Sequence, residues 1–173
     1  GTMCKPLHAG MAAESGLRAA EWAMRGFTGA VDILEHERGF SATHGLRFDI
    51  DAALEGMGER FFCEDILFKY HAACYGTHSA IECARLIREN PDFAIENIVK
   101  VEIRVHTRIT QMCDIPAPRD GLGIKFSLRM TVALALSGEP TSALHVYSEE
   151  YAARPDLVAI RDKVASVIDD QYG

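Results

Sequence analysis

The sequence predicts an α+β protein in two parts: an all-helical front over residues 1–62, read as a piece of a larger helical domain, and a small α+β domain with few strands over residues 63–173. Three observations predict it. From Pro6 to Arg25 the apolar residues Leu7, Met11, Leu17, Ala20, Trp22 and Met24 recur among small Ala and Gly, the pattern of close helix packing. From Ile98 to His106 apolar and charged residues alternate, the period of a half-buried strand. Lys125 to Ser137 is apolar enough for a buried helix.

In chain order, Pro6 suits a first helical turn and Gly26 stops that helix. Gly29 to His36 reads as a second, shorter helix before the loop Arg38-Gly39-Phe40, and Asp49 to Gly58 as a third helical stretch. The character shifts at Phe68-Lys69-Tyr70, a short β-prone run. Thr77 to Arg88 then carries apolar spacing at Ile81, Ala84, Leu86 and Ile87 and reads as a helix that Asn90-Pro91 ends. Asp114 to Gly121 is a loop by its Pro, Asp and Gly content. Arg161 to Ile168 reads as a last amphipathic helix, with no strand after it, so the sheet of the second part is expected to be incomplete at its C-terminal end. No internal repeat is visible.

Composition excludes several classes. Nearly half the 173 residues are apolar and a quarter are charged, which fits a globular chain with one substantial core and not a disordered one. A formal net charge of −7, with Lys and Arg scattered singly between acids, argues against nucleic acid as a partner. No apolar run approaches the roughly 20 residues that cross a bilayer, and a cytoplasmic protein with no membrane partner is expected. The five cysteines, Cys4, Cys63, Cys74, Cys83 and Cys113, are odd in number and never form C-x-x-C, so they suit a reducing compartment better than a disulfide framework or a structural zinc site. Gly1-Thr2-Met3-Cys4 runs at once into an amphipathic helix, which reads as truncation; Met3 as an initiator behind a short scar is the alternative.

Three clusters can carry chemistry. Lys5 and His8 are three residues apart, so a helical first turn points both to nearly one side beside free backbone N–H groups, an arrangement that would hold a carboxylate. A solvated Lys and a His packed on a neighbouring helix fit the same spacing. Lys69 to His78 sets an ammonium, two imidazoles, a thiol and a helix N-terminus within ten residues, with Thr77 placed to cap the helix whose amides favour an anion. A metal on His71 and His78 is the competing reading, without an acidic or Cys partner at ligand spacing; Cys74 is either a nucleophile or inert packing. Lys125 and Ser127 open a helix after a Gly-containing loop, as an anion site or an ordinary basic cap.

Taken in order and spacing, these segments resemble the MmgE/PrpD family, whose members include 2-methylcitrate dehydratase, cis-aconitate decarboxylase and iminodisuccinate epimerase. The stretches that carry the resemblance are Gly1-Thr2-Met3-Cys4-Lys5-Pro6-Leu7-His8-Ala9-Gly10, Gly26-Phe27-Thr28-Gly29, Glu37-Arg38-Gly39-Phe40, Phe68-Lys69 through Thr77-His78, and Lys125-Phe126-Ser127-Leu128. The resemblance implies a fragment of a longer enzyme, homodimeric when full length, with a helical domain, an α+β domain and the active site between them. It implies that Lys5 and Lys69 are the two catalytic lysines, one from each domain, binding the carboxylates of a di- or tricarboxylic acid, and that His8, Cys74, Thr77, His78, Lys125 and Ser127 shape the substrate pocket. Cys74 stands where itaconate-forming members carry a His, and Met130 where some members place a Tyr, so the substrate stays open.

The reaction implied is removal of a proton α to a carboxylate, followed by loss of water, loss of carbon dioxide or reprotonation on the other face, with no metal or organic cofactor required. Lysines would neutralise the charge that develops toward an enediolate, and a desolvated His or Lys would move the proton. A non-catalytic helical binding or interaction module is the alternative, and a metal-dependent hydrolase on His71 and His78 a third. A closed core around residues 6–25 would favour the module; an exposed apolar face would favour a truncated enzyme.

Overall fold

The computed structural model describes residues 3–45 and 49–171, apart from the side chain of Ile50. Gly1 and Thr2 of the opening motif and the terminal Gly173 lie outside the described residues. The chain divides into two compact units, Met3–Leu67 and Phe68–Gly173. The fold is α+β: helices dominate and a single two-stranded parallel sheet lies in the second unit.

In the first unit, α1 spans Cys4–Met24, α2 Phe40–Thr43 and α3 Ile50–Leu54. The spacing that predicts α1 holds, and Gly26 ends it by a left-handed turn at φ +86. There the Phe27 N–H donates to the Trp22 carbonyl (3.0 Å) and the Gly26 N–H to that of Ala23 (2.9 Å), while the Trp22 and Phe27 rings sit 5.8 Å apart. This is a Schellman stop with its apolar clasp. None of α1 is buried: Leu7, Met11, Leu17 and Trp22 are all more than half exposed.

The helix expected over Gly29 to His36 is absent. The carbonyls of Ile33 and Leu34 accept from the N–H groups of Phe40 and Ser41 (2.7 and 3.2 Å), so the chain doubles back as turns and α2 begins at Phe40, the last residue of the expected loop. Gly39 permits this approach, since a Cβ there would run into the Ile33 carbonyl. The third stretch is helical only over α3, capped by Asp49 accepting from the Ala52 N–H at 3.1 Å, before Gly56 and Gly58 take positive φ.

The second unit comprises α4 (His78–Arg88), β1 (Val101–Val105), α5 (Thr107–Cys113), α6 (Gly121–Lys125), α7 (Leu128–Leu136), α8 (Glu149–Ala153), α9 (Pro155–Arg161) and β2 (Val164–Ile168). Its core is built on α7, in which every residue but Arg129 is buried. A helix apolar on all sides needs neighbours all round, and α7 packs on α4, α9 and β2. β1 carries the predicted alternation, with Ile103 buried between exposed Glu102 and Arg104.

Two expectations, one of a helix and one of a β-prone run, are corrected. Arg161 to Ile168 is not a helix; Val164–Ile168 is β2, parallel to β1 in the register Val101↔Val164. Apolar residues at Ile160, Val164, Val167 and Ile168 satisfy helical spacing, but a run rich in β-branched residues with a strand available to pair favours the sheet. Phe68-Lys69-Tyr70 is not a strand either. The nearby backbone bonds go singly to different segments, Ala72 N–H to the Thr141 carbonyl (3.0 Å) and Cys74 N–H to that of Lys125 (2.8 Å), so no ladder forms.

Candidate functional site

The segment from Lys69 to His78 is pinned by these two backbone bonds and then winds through a 3-10 turn, Tyr75–Thr77, into α4. Lys69 is exposed, and its Nζ donates to the Ala73 carbonyl at 3.1 Å, so the ammonium curls over its own loop. His78 begins α4. Its ring lies edge-on to His71 with centroids 4.9 Å apart and tilts against Tyr75 at 5.2 Å. The Nε2 of His78 is buried and has no hydrogen-bond partner.

Burial, then the neighbouring His71 and the charge of Lys69, hold the His78 imidazole below its ordinary value, with the Ala73 and His71 backbone opposing in part. His78 is therefore neutral at pH 7 and able to accept a proton. The expected Thr77 cap is not made. Thr77 is fully buried and its hydroxyl donates to the Cys74 carbonyl (2.7 Å), which fixes the 3-10 turn and leaves the first amides of α4 without a side-chain cap. The His78 N–H is taken by the Tyr75 carbonyl, so an anion placed there meets the positive end of the helix dipole and the Lys69 charge.

The other predicted residues distribute as follows. Cys74 is buried and interacts with buried Cys113, whose thiol is pushed up to about 12 by burial and then by Cys74. The Cys113 thiol in this setting is a packing group and not a thiolate, and Cys74 is buried against it. Lys125 ends α6, its carbonyl receiving the Cys74 N–H and its Nζ lying 5.4 Å from the centre of the Tyr147 ring. Ser127 is fully buried and spends its hydroxyl inside the fold, donating to the Ile115 carbonyl (2.6 Å) and accepting from the Met130 N–H (3.1 Å) as the cap of α7. Lys69, Cys74, Thr77, His78 and Lys125 thus share one neighbourhood. Lys5 and His8 sit exposed on the first turns of α1, in the other unit.

Sequence reasoning missed what supports this loop. His71, only 3% exposed, places Nε2 2.7 Å from Glu82 Oε1 and Nδ1 2.8 Å from the Thr141 hydroxyl. Burial alone would raise the Glu82 carboxyl, but the hydrogen bonds from His71 and Arg85 outweigh it and hold it below its ordinary value. The Thr141 carbonyl also accepts from the Tyr147 hydroxyl at 2.6 Å, and burial pushes that phenol up to about 12. His71 is therefore a buried strut, its two ring nitrogens both engaged. No signal in the sequence links it to a threonine seventy positions away.

Among the described residues no group of three or more His, Cys, Asp or Glu is placed to hold a metal ion, and no described helix is long and apolar enough to cross a membrane.

Comparison with known families gives two matches. The profile of the MmgE/PrpD C-terminal domain matches residues 71–173, more than half of the chain, and that of the MmgE/PrpD N-terminal domain matches residues 1–52. No curated protein gave a significant match.

Proposed function

The chain belongs to the MmgE/PrpD family, a family of dehydratase and lyase type, and from that membership we propose that it forms part of an enzyme removing a proton α to a carboxylate of a di- or tricarboxylic acid. The observation that carries the reading is His78: a neutral imidazole with a buried, unpartnered Nε2 at the uncapped start of α4, next to the Lys69 loop.

In this reading a substrate carboxylate docks at the positive N-terminal end of α4 and on the Lys69 ammonium, which leaves the Ala73 carbonyl to meet it. The electron pair of the α C–H bond moves into that carboxylate as the enediolate forms, and Lys69 offsets the growing charge. His78 Nε2 takes the proton, since the lowered pKa keeps the ring in its neutral, proton-accepting form. Return of a proton to the other face gives epimerisation; expulsion of a β-hydroxyl with a proton gives the unsaturated acid and water. By the family resemblance Lys5 is a second catalytic lysine and His8 a substrate-binding residue. The working enzyme is a homodimer in the cytoplasm.

The test is exchange of the substrate α-proton with D2O, followed by NMR across tricarboxylates and amino-dicarboxylates. Lys69→Ala and Lys5→Ala each abolish exchange; an unchanged rate in either variant removes that lysine from the site. The interaction-module alternative requires a closed core in the front unit, whereas α1 buries none of its apolar residues.

A further inference from the structure

A cavity of about 450 Å³ opens along the last turns of α4, where Arg85 and Arg88 face the turn Gly138 to Ser142 that follows α7. Its charge balance is uneven. Glu139 on its wall is already held by Arg154 at 2.7 Å, and Glu82 by His71 and Arg85 at 2.7 and 2.9 Å. Arg88 has no carboxylate within 4.0 Å among the described residues. It meets backbone instead: Gly138 takes φ +78, and a Cβ there would come within 2.6 Å of the Arg88 Cζ and Nη2. Its guanidinium approaches the Gly138 backbone, donates no hydrogen bond among the described residues, and shares the cavity wall with Thr141 and Ser142.

We propose that this cavity is an oxyanion site, taking a small carboxylate or phosphate on the guanidinium groups of Arg85 and Arg88. Arg85 Nη1 and His71 Nε2 share the same oxygen of Glu82. An anion that draws Arg85 toward the cavity therefore changes what His71 feels through Glu82. His71 in turn touches the His78 ring, which gives the cavity a physical line to the candidate site. The oxyanion site does not depend on the proposed reaction and survives its failure.

The experiment titrates the full chain with inorganic phosphate and, separately, with succinate, following the His71 ring resonances by heteronuclear NMR. A saturable shift is expected. Saturation by both probes assigns a general oxyanion site, and by one alone a site selective for that source. Arg88→Gln weakens the binding about tenfold, as loss of a charge-assisted contact should. Gly138→Ala keeps both charges but displaces the Arg88 guanidinium, and weakens binding in the same direction; it carries the test if Arg88→Gln fails to fold. A succinate shift that survives Arg88→Gln belongs to the Lys69 site and not to this cavity. No saturable shift with either probe, or equal affinity in wild type and an Arg85→Gln/Arg88→Gln double variant, overturns the site.

Discussion

Two helices rich in apolar residues meet opposite fates in this chain. α1 carries Leu7, Met11, Leu17 and Trp22 and buries none of its residues, whereas α7 buries all but Arg129. Composition does not separate them as clearly as neighbours do: α7 has α4, α9 and β2 against it, while α1 leaves all its residues exposed. A helix pattern thus states which face wants a partner, and the rest of the fold decides whether one is present.

The comparison can be broken most sharply by truncating one leucine on each helix. Leu134→Ala, at a fully buried site, costs about 2–5 kcal/mol of unfolding free energy. Leu17→Ala, two-thirds exposed and replaced by a better helix former, stays within about 0.5 kcal/mol. Urea unfolding of the two variants measures the contrast, and a comparable loss at Leu17 would show that α1 is covered in solution.

A smaller effect sharpens the comparison for histidines. His71→Ala strands the buried Thr141 hydroxyl and is expected to cost about 1–3 kcal/mol, while His8→Ala on exposed α1 is close to neutral. Equal melting temperatures for the two variants would contradict the strut assigned to His71.

The smallest effect is on the pH axis. The His78 imidazole is held below its unfolded value of about 6.5, so just under that pH the unfolded chain binds the extra proton and the folded chain does not. Stability contributed by the neutral ring is full above the unfolded pKa and declines as pH falls through that window toward the folded pKa. His78→Asn flattens this decline in a series of unfolding curves; an unchanged slope would place the titration elsewhere.

Local signals in the sequence account for α1, α4, α7, β1 and the Gly26 stop, because each depends on spacing or on one residue's backbone preference. β2 was not legible as a strand, since Arg161 to Ile168 satisfies helical spacing and only the presence of β1 tips it into the sheet. α5, α8 and α9 are too short for their periodicity to stand out. In the candidate site, the crowding of Lys69 through His78 is visible in one line of sequence. The links from His71 to Glu82 and Thr141, and the use of Thr77 inside the turn instead of as a cap, depend on tertiary geometry that no local pattern encodes.

The parallel register of β1 and β2 also sets an order of events during synthesis. A hairpin could pair within moments of its second strand appearing, but Val101–Val105 must wait for Val164–Ile168, after residues 106–163 have all been made. Until then the strand offers its unpaired backbone to any other chain nearby. The growing protein therefore passes through a period of exposure that ends only when Val164–Ile168 arrives, and a ribosome pausing before Val164 would lengthen it.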